Sequence, residues 1–234
     1  MTIKERISNL PWDRLARDIN DRGWAITDSL LTADERRQLI AAYDDAGFRS
    51  TVVMARHGFG LGEYRYFAYP LPELVQGLRE ALYERLAPIA NGWRDALGIG
   101  EPYPERHSDY LARCHSAGQM KPTPLLLRYA PGDYNCLHQD LYGELAFPLQ
   151  AAFLLAEPER DFTGGEFVLT EQRPRMQSRA QVVPLRAGEA AIFAVSQRPV
   201  QGTRGTYRVT MRHGVSPVRS GSRHTLGIIF HDAK

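Results

Sequence analysis

Leu125-Leu126-Leu127-Arg128-Tyr129-Ala130-Pro131-Gly132-Asp133, followed shortly by His138-Gln139-Asp140, marks the point where the chain changes its periodicity. Upstream of Lys121, apolar residues recur every three or four positions. Downstream they alternate, which is the period of a strand. Strands are expected at Pro124 to Tyr129, Phe147 to Ala156, Gly165 to Thr170, Gln181 to Pro184, Ala190 to Val195, Thr206 to Val215 and Arg223 to His231. Turn signals separate them at Pro131-Gly132-Asp133, Thr163-Gly164-Gly165, Ala187-Gly188-Glu189 and Ser220-Gly221-Ser222. Short strands at this density predict a sandwich or jelly roll.

Working back from Lys121, the pattern is helical. Ile3 to Asn20 carries apolar residues at helical spacing and is divided at Pro11. Thr32 and Glu35 form a capping box ahead of a second helix, which Gly47 is expected to end. The strongest helix runs from Pro72 to Leu97, through Leu74, Leu78, Leu82, Leu86, Ile89 and Trp93, with Pro88 expected to kink or split it. Short strands are expected at Trp24 to Asp28, Thr51 to Met54 and Glu63 to Tyr69. Gly58-Phe59-Gly60-Leu61-Gly62 is rich in glycine but leads into one of these strands, so no helix N-terminus is present to hold a phosphate. The expected class is α+β: a jelly-roll core over residues 121–234, with a mainly helical region over residues 1–120 packed on it in the same domain.

Composition excludes several classes. No apolar run approaches the length of a membrane span, and Met1 to Trp12 is interrupted by Lys4, Glu5 and Arg6, which speaks against a secretory signal. Two cysteines, Cys114 and Cys136, do not make a disulfide framework, so a cytoplasmic protein with reduced thiols is expected. The net charge of +2 conceals an uneven distribution. From Arg173 to Arg223 there are ten arginines and one acid, Glu189, a stretch that could face an anionic partner. Arginine outnumbers lysine throughout, 26 to 3, so part of this run is general composition.

His-x-Asp occurs twice, at His107-Ser108-Asp109 and at His138-Gln139-Asp140. The first falls where Tyr110, Leu111 and Cys114 predict a helix, and there positions i and i+2 point to nearly opposite sides. The second follows a strand and a turn, and in extended chain i and i+2 share a face. His138 and Asp140 can therefore reach one metal ion. A third ligand must come from a distant strand, and His213 fits. It alternates on one face with Tyr207, Val209, Met211 and Val215. Two imidazoles and one carboxylate cap one side of an iron(II) ion and leave the other side open. After the turn at Ser220, Arg223, Thr225 and Gly227 share a face. Arg223 with Thr225 offers a guanidinium fork and a hydroxyl for a carboxylate.

With these residues assembled, the sequence resembles the Fe(II)/2-oxoglutarate-dependent dioxygenase superfamily from Lys121 to Lys234. Gly164-Gly165-Glu166-Phe167 matches an element common in prolyl-hydroxylase-like members, and Tyr129 matches a tyrosine that helps hold 2-oxoglutarate. The resemblance implies a double-stranded β-helix with His138, Asp140 and His213 on Fe(II). It places 2-oxoglutarate on Arg223, Thr225 and Tyr129, with O2 at the remaining position. The reaction implied is decarboxylation of 2-oxoglutarate to succinate coupled to hydroxylation or oxidative demethylation of a substrate. Glu63-Tyr64-Arg65-Tyr66-Phe67 and Arg204-Gly205-Thr206-Tyr207-Arg208 look like a bacterial subfamily described as acting on damaged DNA. Leu127 stands where AlkB proteins carry asparagine, and the single Arg223 close after His213 is the hydroxylase pattern. Two substrate classes therefore stay open. One is nucleic acid, with Tyr64, Tyr66 and Arg204 as contacts and residues 57–69 as a base-stacking lid. The other is a protein side chain, amino acid or small metabolite. A jelly-roll protein that holds metal without catalysis is the third alternative. Oligomeric state is not legible.

Overall fold

The computed structural model describes residues 1–45, 47–203 and 205–234. Among the described residues, five α-helices precede the main run of strands. Helices α1 (Ile3–Ser8) and α3 (Ala33–Ala41) each begin at a threonine, Thr2 or Thr32, that closes a capping box with the glutamate three residues on. Helix α2 (Trp12–Arg22) starts directly after Pro11 and ends at Gly23, whose φ of 82° gives a left-handed C-cap. Helix α3 runs on as a 3-10 turn over Ala42–Asp44, so the chain leaves helical geometry before it reaches Gly47.

Helix α4 (Glu73–Leu97) corrects one expectation: it passes Pro88 as a single 25-residue helix. An interior proline costs about 3 kcal/mol. Leu82, Tyr83 and Leu86 before it and Ala90 and Trp93 after it are all buried in one core. Each large side chain there contributes roughly 1.5–3 kcal/mol, so burial on both sides of Pro88 outweighs the defect. Helix α5 (His107–Ser116) completes the set.

The strands are β1 (Trp24–Ile26), β2 (Phe48–Val53), β3 (Gly60–Leu61), β4 (Glu63–Phe67) and β5 (Leu125–Tyr129). Next come β6 (Tyr134–His138), β7 (Leu149–Leu154), β8 (Phe162–Gly164), β9 (Phe167–Gln172) and β10 (Arg179–Val183). The last are β11 (Ala190–Ala194), β12 (Gln197–Gly202), β13 (Gly205–Val215), β14 (Val218–Gly221) and β15 (Arg223–Ile228). A seven-stranded sheet has the order β1-β11-β7-β15-β5-β4-β2. A six-stranded sheet has the order β10-β9-β13-β6-β3, with β12 also on β13, and β14 pairs with β8 alone. All named strand pairs are antiparallel. The class is α+β, as expected. The first 120 residues do more than pack helices on a sheet, because they supply β1, β2 and β4 to one sheet and β3 to the other.

Period-2 alternation sorts the side chains of the seven-stranded sheet. On β7, Ala151 and Phe153 join the helix-side core with Leu78, Leu82 and Leu86. Ala152 and Leu154 join a second core with Phe167, Leu169, Phe193 and Val215 of other strands. On β15, Leu226 and Ile228 face the helices, which leaves Arg223, Thr225 and Gly227 on the other side, where they line a cavity.

Candidate metal centre

His138 closes β6, and in the ladder it lies directly opposite His213 of β13. Gln139 points away. Its amide donates to the carbonyls of Met211 (2.8 Å) and Ser196 (3.1 Å), which fastens the segment and leaves His138 and Asp140 facing the same space. His213 Nε2 lies 3.3 Å from Asp140 Oδ2, and His138 Nε2 lies 3.5 Å from Asp140 Oδ1. One ligand atom from each of the three residues falls within 4.8 Å of the others. His138 Nδ1 donates to the Cys136 carbonyl at 2.8 Å, which leaves its Nε2 lone pair for a metal.

The electrostatics suit that use. Burial pulls the Asp140 pKa upward, but hydrogen bonds from His138 and His213 prevail and hold it well below the usual carboxylate range. Burial, together with the neighbouring His138, lowers the His213 pKa and favours the neutral, ligating imidazole. Burial also disfavours the charged form of His138, yet Asp140 beside it raises the pKa overall. The tyrosine two residues on, Tyr142, donates its hydroxyl to Asp140 Oδ1 at 2.7 Å, and Gln150 of β7 donates to Oδ2 at 2.9 Å. Sequence reasoning missed both. The one visible signal was Gln150, a polar residue inside the apolar run Leu149 to Leu155.

The helical decoy behaves as expected. His107 is buried with Nε2 2.8 Å from the Phe230 carbonyl, and burial pushes its pKa down to about 3. Asp109 is exposed on the surface of α5.

A cavity of about 300 Å³ opens beside the triad and is lined by Tyr129, Arg223, Thr225 and Gly227 among others. Arg223 is 2 % exposed and donates to Thr225 Oγ1 at 2.6 Å. Among the described residues its Nε has no partner and it takes part in no ion pair. Burial lowers its pKa. The Tyr129 hydroxyl is buried without a partner, and burial pushes its pKa up to about 12. Gly165 makes room for this arrangement. Its φ is 60°, and a Cβ there would lie 2.8 Å from Arg223 Cδ.

Tyr64 lines the cavity. Tyr66 sits behind it, edge-on to Tyr64 at 5.4 Å and to Tyr142 at 6.3 Å, and Phe67 belongs to the helix-side core. Residues 63–67 form β4 within the seven-stranded sheet, so this part of the expected lid is sheet. Arg204 lies outside the described residues. Two residues of the cavity lining, Phe59 and Leu137, are each about half exposed. The arginine run is dispersed. Glu171, just upstream of the run, pairs with Arg198 (2.5 Å), Arg173 (2.9 Å) and Arg179 (3.6 Å), and Arg219 lies 3.6 Å from Glu166. Arg223 is inside the cavity.

Residues 62–233 match a family model described as an oxygenase catalysing oxidative methylation of damaged DNA. The chain belongs to this oxygenase family. An uncharacterized protein of Mycobacterium tuberculosis, found in two strains, is 50% identical over 167 residues, which is 71% of this chain and 72% of the relative. Among solved structures, a Pseudomonas putida prolyl-4-hydroxylase aligns over 95% of this chain and 99% of its own, with TM-score 0.54 and 15% identity. A Burkholderia pseudomallei oxidoreductase of the 2OG-Fe(II) oxygenase family aligns over 95% and 92%, with TM-score 0.54 and 16% identity. At such identity these two likenesses concern the fold. The family match, the His-Asp-His triad and that fold make this oxygenase an enzyme of the Fe(II)/2-oxoglutarate-dependent class.

Proposed function

We propose that the enzyme holds Fe(II) on His138, Asp140 and His213 and 2-oxoglutarate on Arg223, Thr225 and Tyr129, and hydroxylates a C–H bond of a peptide side chain or small molecule. The observation that carries this reading is Arg223, whose guanidinium meets no carboxylate among the described residues. A buried guanidinium without a counter-charge is costly, and here it stands beside an unpartnered tyrosine hydroxyl in a cavity that reaches the triad. One carboxylate of a dicarboxylate can accept from both, and its other end then extends toward the triad. With its cosubstrate and O2, the iron centre supplies oxidative decarboxylation coupled to insertion of one oxygen atom into a C–H bond. The protein's part is to hold the far carboxylate on Arg223, to keep the His213 imidazole neutral, and to exclude water with Phe167, Phe193 and Tyr64. The strand order of the two sheets supports a double-stranded β-helix, with residues 1–120 in the same folded unit.

An apolar rim that includes Phe59 and Leu137 favours an uncharged group on a peptide or metabolite. Tyr64 is the substrate-facing wall in this reading, Tyr66 its support, and Arg204 a contact proposed from sequence alone. A nucleic-acid substrate, which the family description names, calls for free cations at the mouth to meet phosphate, and at least five arginines of the basic run are occupied elsewhere. No helix among the described residues is long and apolar enough to cross a membrane. Two free cysteines support a reducing, cytoplasmic setting.

Anaerobic addition of Fe(II) and 2-oxoglutarate should produce a weak visible charge-transfer band. At 100-fold excess over Kd, ligands stabilise by about 2.7 kcal/mol, which for a chain of this size raises Tm by roughly 5–11 °C. No band and no shift would sink the reading. Succinate release stimulated by peptides or amino acids, but not by methylated single-stranded DNA, is the expected substrate result, and the reverse would restore the nucleic-acid assignment.

A further inference from the structure

Asp140 carries a clamp of its own. The terminal torsion of an aspartate is soft and roughly two-fold, so burial alone does not set the angle at which its oxygens face a metal. Here two donors from different places in the chain hold the two oxygens separately. Tyr142 Oη donates to Oδ1 at 2.7 Å from the loop after β6, and Gln150 Nε2 donates to Oδ2 at 2.9 Å from the inward face of β7. Gln150 also stands 3.5 Å from His213 Nε2, so it sits at the edge of the triad.

Among the described residues, only the triad offers Gln150 a polar partner. It is 4 % exposed, between Leu149 and Ala151, which are fully buried. Its Oε1 has no partner. A buried amide with half its bonding unmade lowers stability relative to an apolar residue of the same shape. A strand whose other residues are all apolar therefore carries a destabilising side chain, and among the described residues the polar groups it meets, Asp140 Oδ2 at 2.9 Å and His213 Nε2 at 3.5 Å, both belong to the triad.

On the basis of the metal reading above, we propose that Tyr142 and Gln150 are positioning residues that lock the Asp140 carboxylate, one donor per oxygen, so that it meets the metal in a single orientation. Each donor also competes for lone pairs on its oxygen. The clamp thereby disfavours two-oxygen chelation, which would consume a coordination position that the reaction needs open.

Co(II) binding, titrated by visible absorption without 2-oxoglutarate, provides a readout independent of turnover. Tyr142→Phe removes one hydroxyl, and Gln150→Leu replaces the amide with an apolar side chain of similar size. Each should weaken Co(II) binding about 10- to 100-fold and change the shape of the Co(II) spectrum. The Tm of the metal-free protein should stay unchanged in Tyr142→Phe and unchanged or higher in Gln150→Leu. A Co(II) Kd within twofold of the unsubstituted protein in either variant overturns the two-point clamp while leaving the metal site standing. Weakened binding accompanied by a fall in metal-free Tm shows a packing role and overturns it as well. If the unsubstituted protein itself binds no Co(II), both the clamp and the metal reading fall.

Discussion

Arg223 owes its position to two neighbours that are easily overlooked. Gly165 makes space beside its Cδ, and Thr225, on the same face of β15, takes one of its N–H groups. What remains of the guanidinium is unpaired and faces the cavity. Arg223→Ala should therefore weaken 2-oxoglutarate binding by about 2–5 kcal/mol, roughly 30-fold to several-thousand-fold in Kd, while Co(II) affinity in the absence of 2-oxoglutarate stays unchanged. Calorimetric titration of the Co(II) form with 2-oxoglutarate measures both. Equal binding by the variant would show that the far carboxylate rests elsewhere. At this scale the sequence was legible where two periodicities could be compared. His107 and His138 begin the same kind of triplet, and only the secondary structure around each decides that one bonds a carbonyl in the core and the other joins Asp140 and His213 in a group that could hold a metal. Tyr142 and Gln150 were not legible, because a hydroxyl and an amide reveal their partner only when the loop and β7 are brought against Asp140.

Local chemistry decides the elements well where it is self-contained. Thr32 and Glu35 announce α3 because the capping box closes within four residues. Glu35 also reaches a long-range partner, Arg6 of α1, at 2.5 Å. The hydrogen bond from Arg6 is the main cause that lowers the Glu35 pKa to about 2. The folded-state value is depressed, so the stabilisation is complete above the ordinary carboxylate pKa and is lost as pH falls from there toward 2. Glu35→Gln should be less stable than the unsubstituted protein at pH 7, and the difference should shrink at pH 3, as urea unfolding at the two pH values will show. A difference independent of pH would show that the Glu35 charge does not contribute to stability. Strand β12 (Gln197–Gly202) shows where local chemistry fails. Its polar residues and Pro199 do not look like a strand, yet it pairs with β13 alone, and a strand bonded on one side tolerates a missing N–H. Strand β6 escaped notice for a related reason: Tyr134 to His138 shows no apolar alternation, and its place is set by pairing with β13 and β3.

The whole molecule is tied together by a polar knot on the helix side. Arg79 of α4 and Asp232 near the C-terminus are fully buried and 2.8 Å apart. Arg79 also donates to the Ile229 carbonyl and to Thr123, and Tyr69 donates to Asp232. The long helix is thereby fastened to the end of the segment that begins as β15. Asp232→Asn leaves the Arg79 charge uncompensated and should cost about 3–5 kcal/mol in urea unfolding, with Co(II) affinity of the folded fraction unchanged. A loss below 1 kcal/mol would show that the knot is dispensable. Local periodicity and short-range bonding encode the helices before Lys121, the alternating strands after it, and which of two His-x-Asp triplets could share a face. The tertiary structure alone decided that α4 continues through Pro88, that N-terminal segments enter both sheets, that the arginine run is spread over separate partners, and that Tyr142 and Gln150 grip Asp140. Each of these depends on groups distant in the chain whose burial or pairing outweighs the local preference, and such energies come into being only when the core closes.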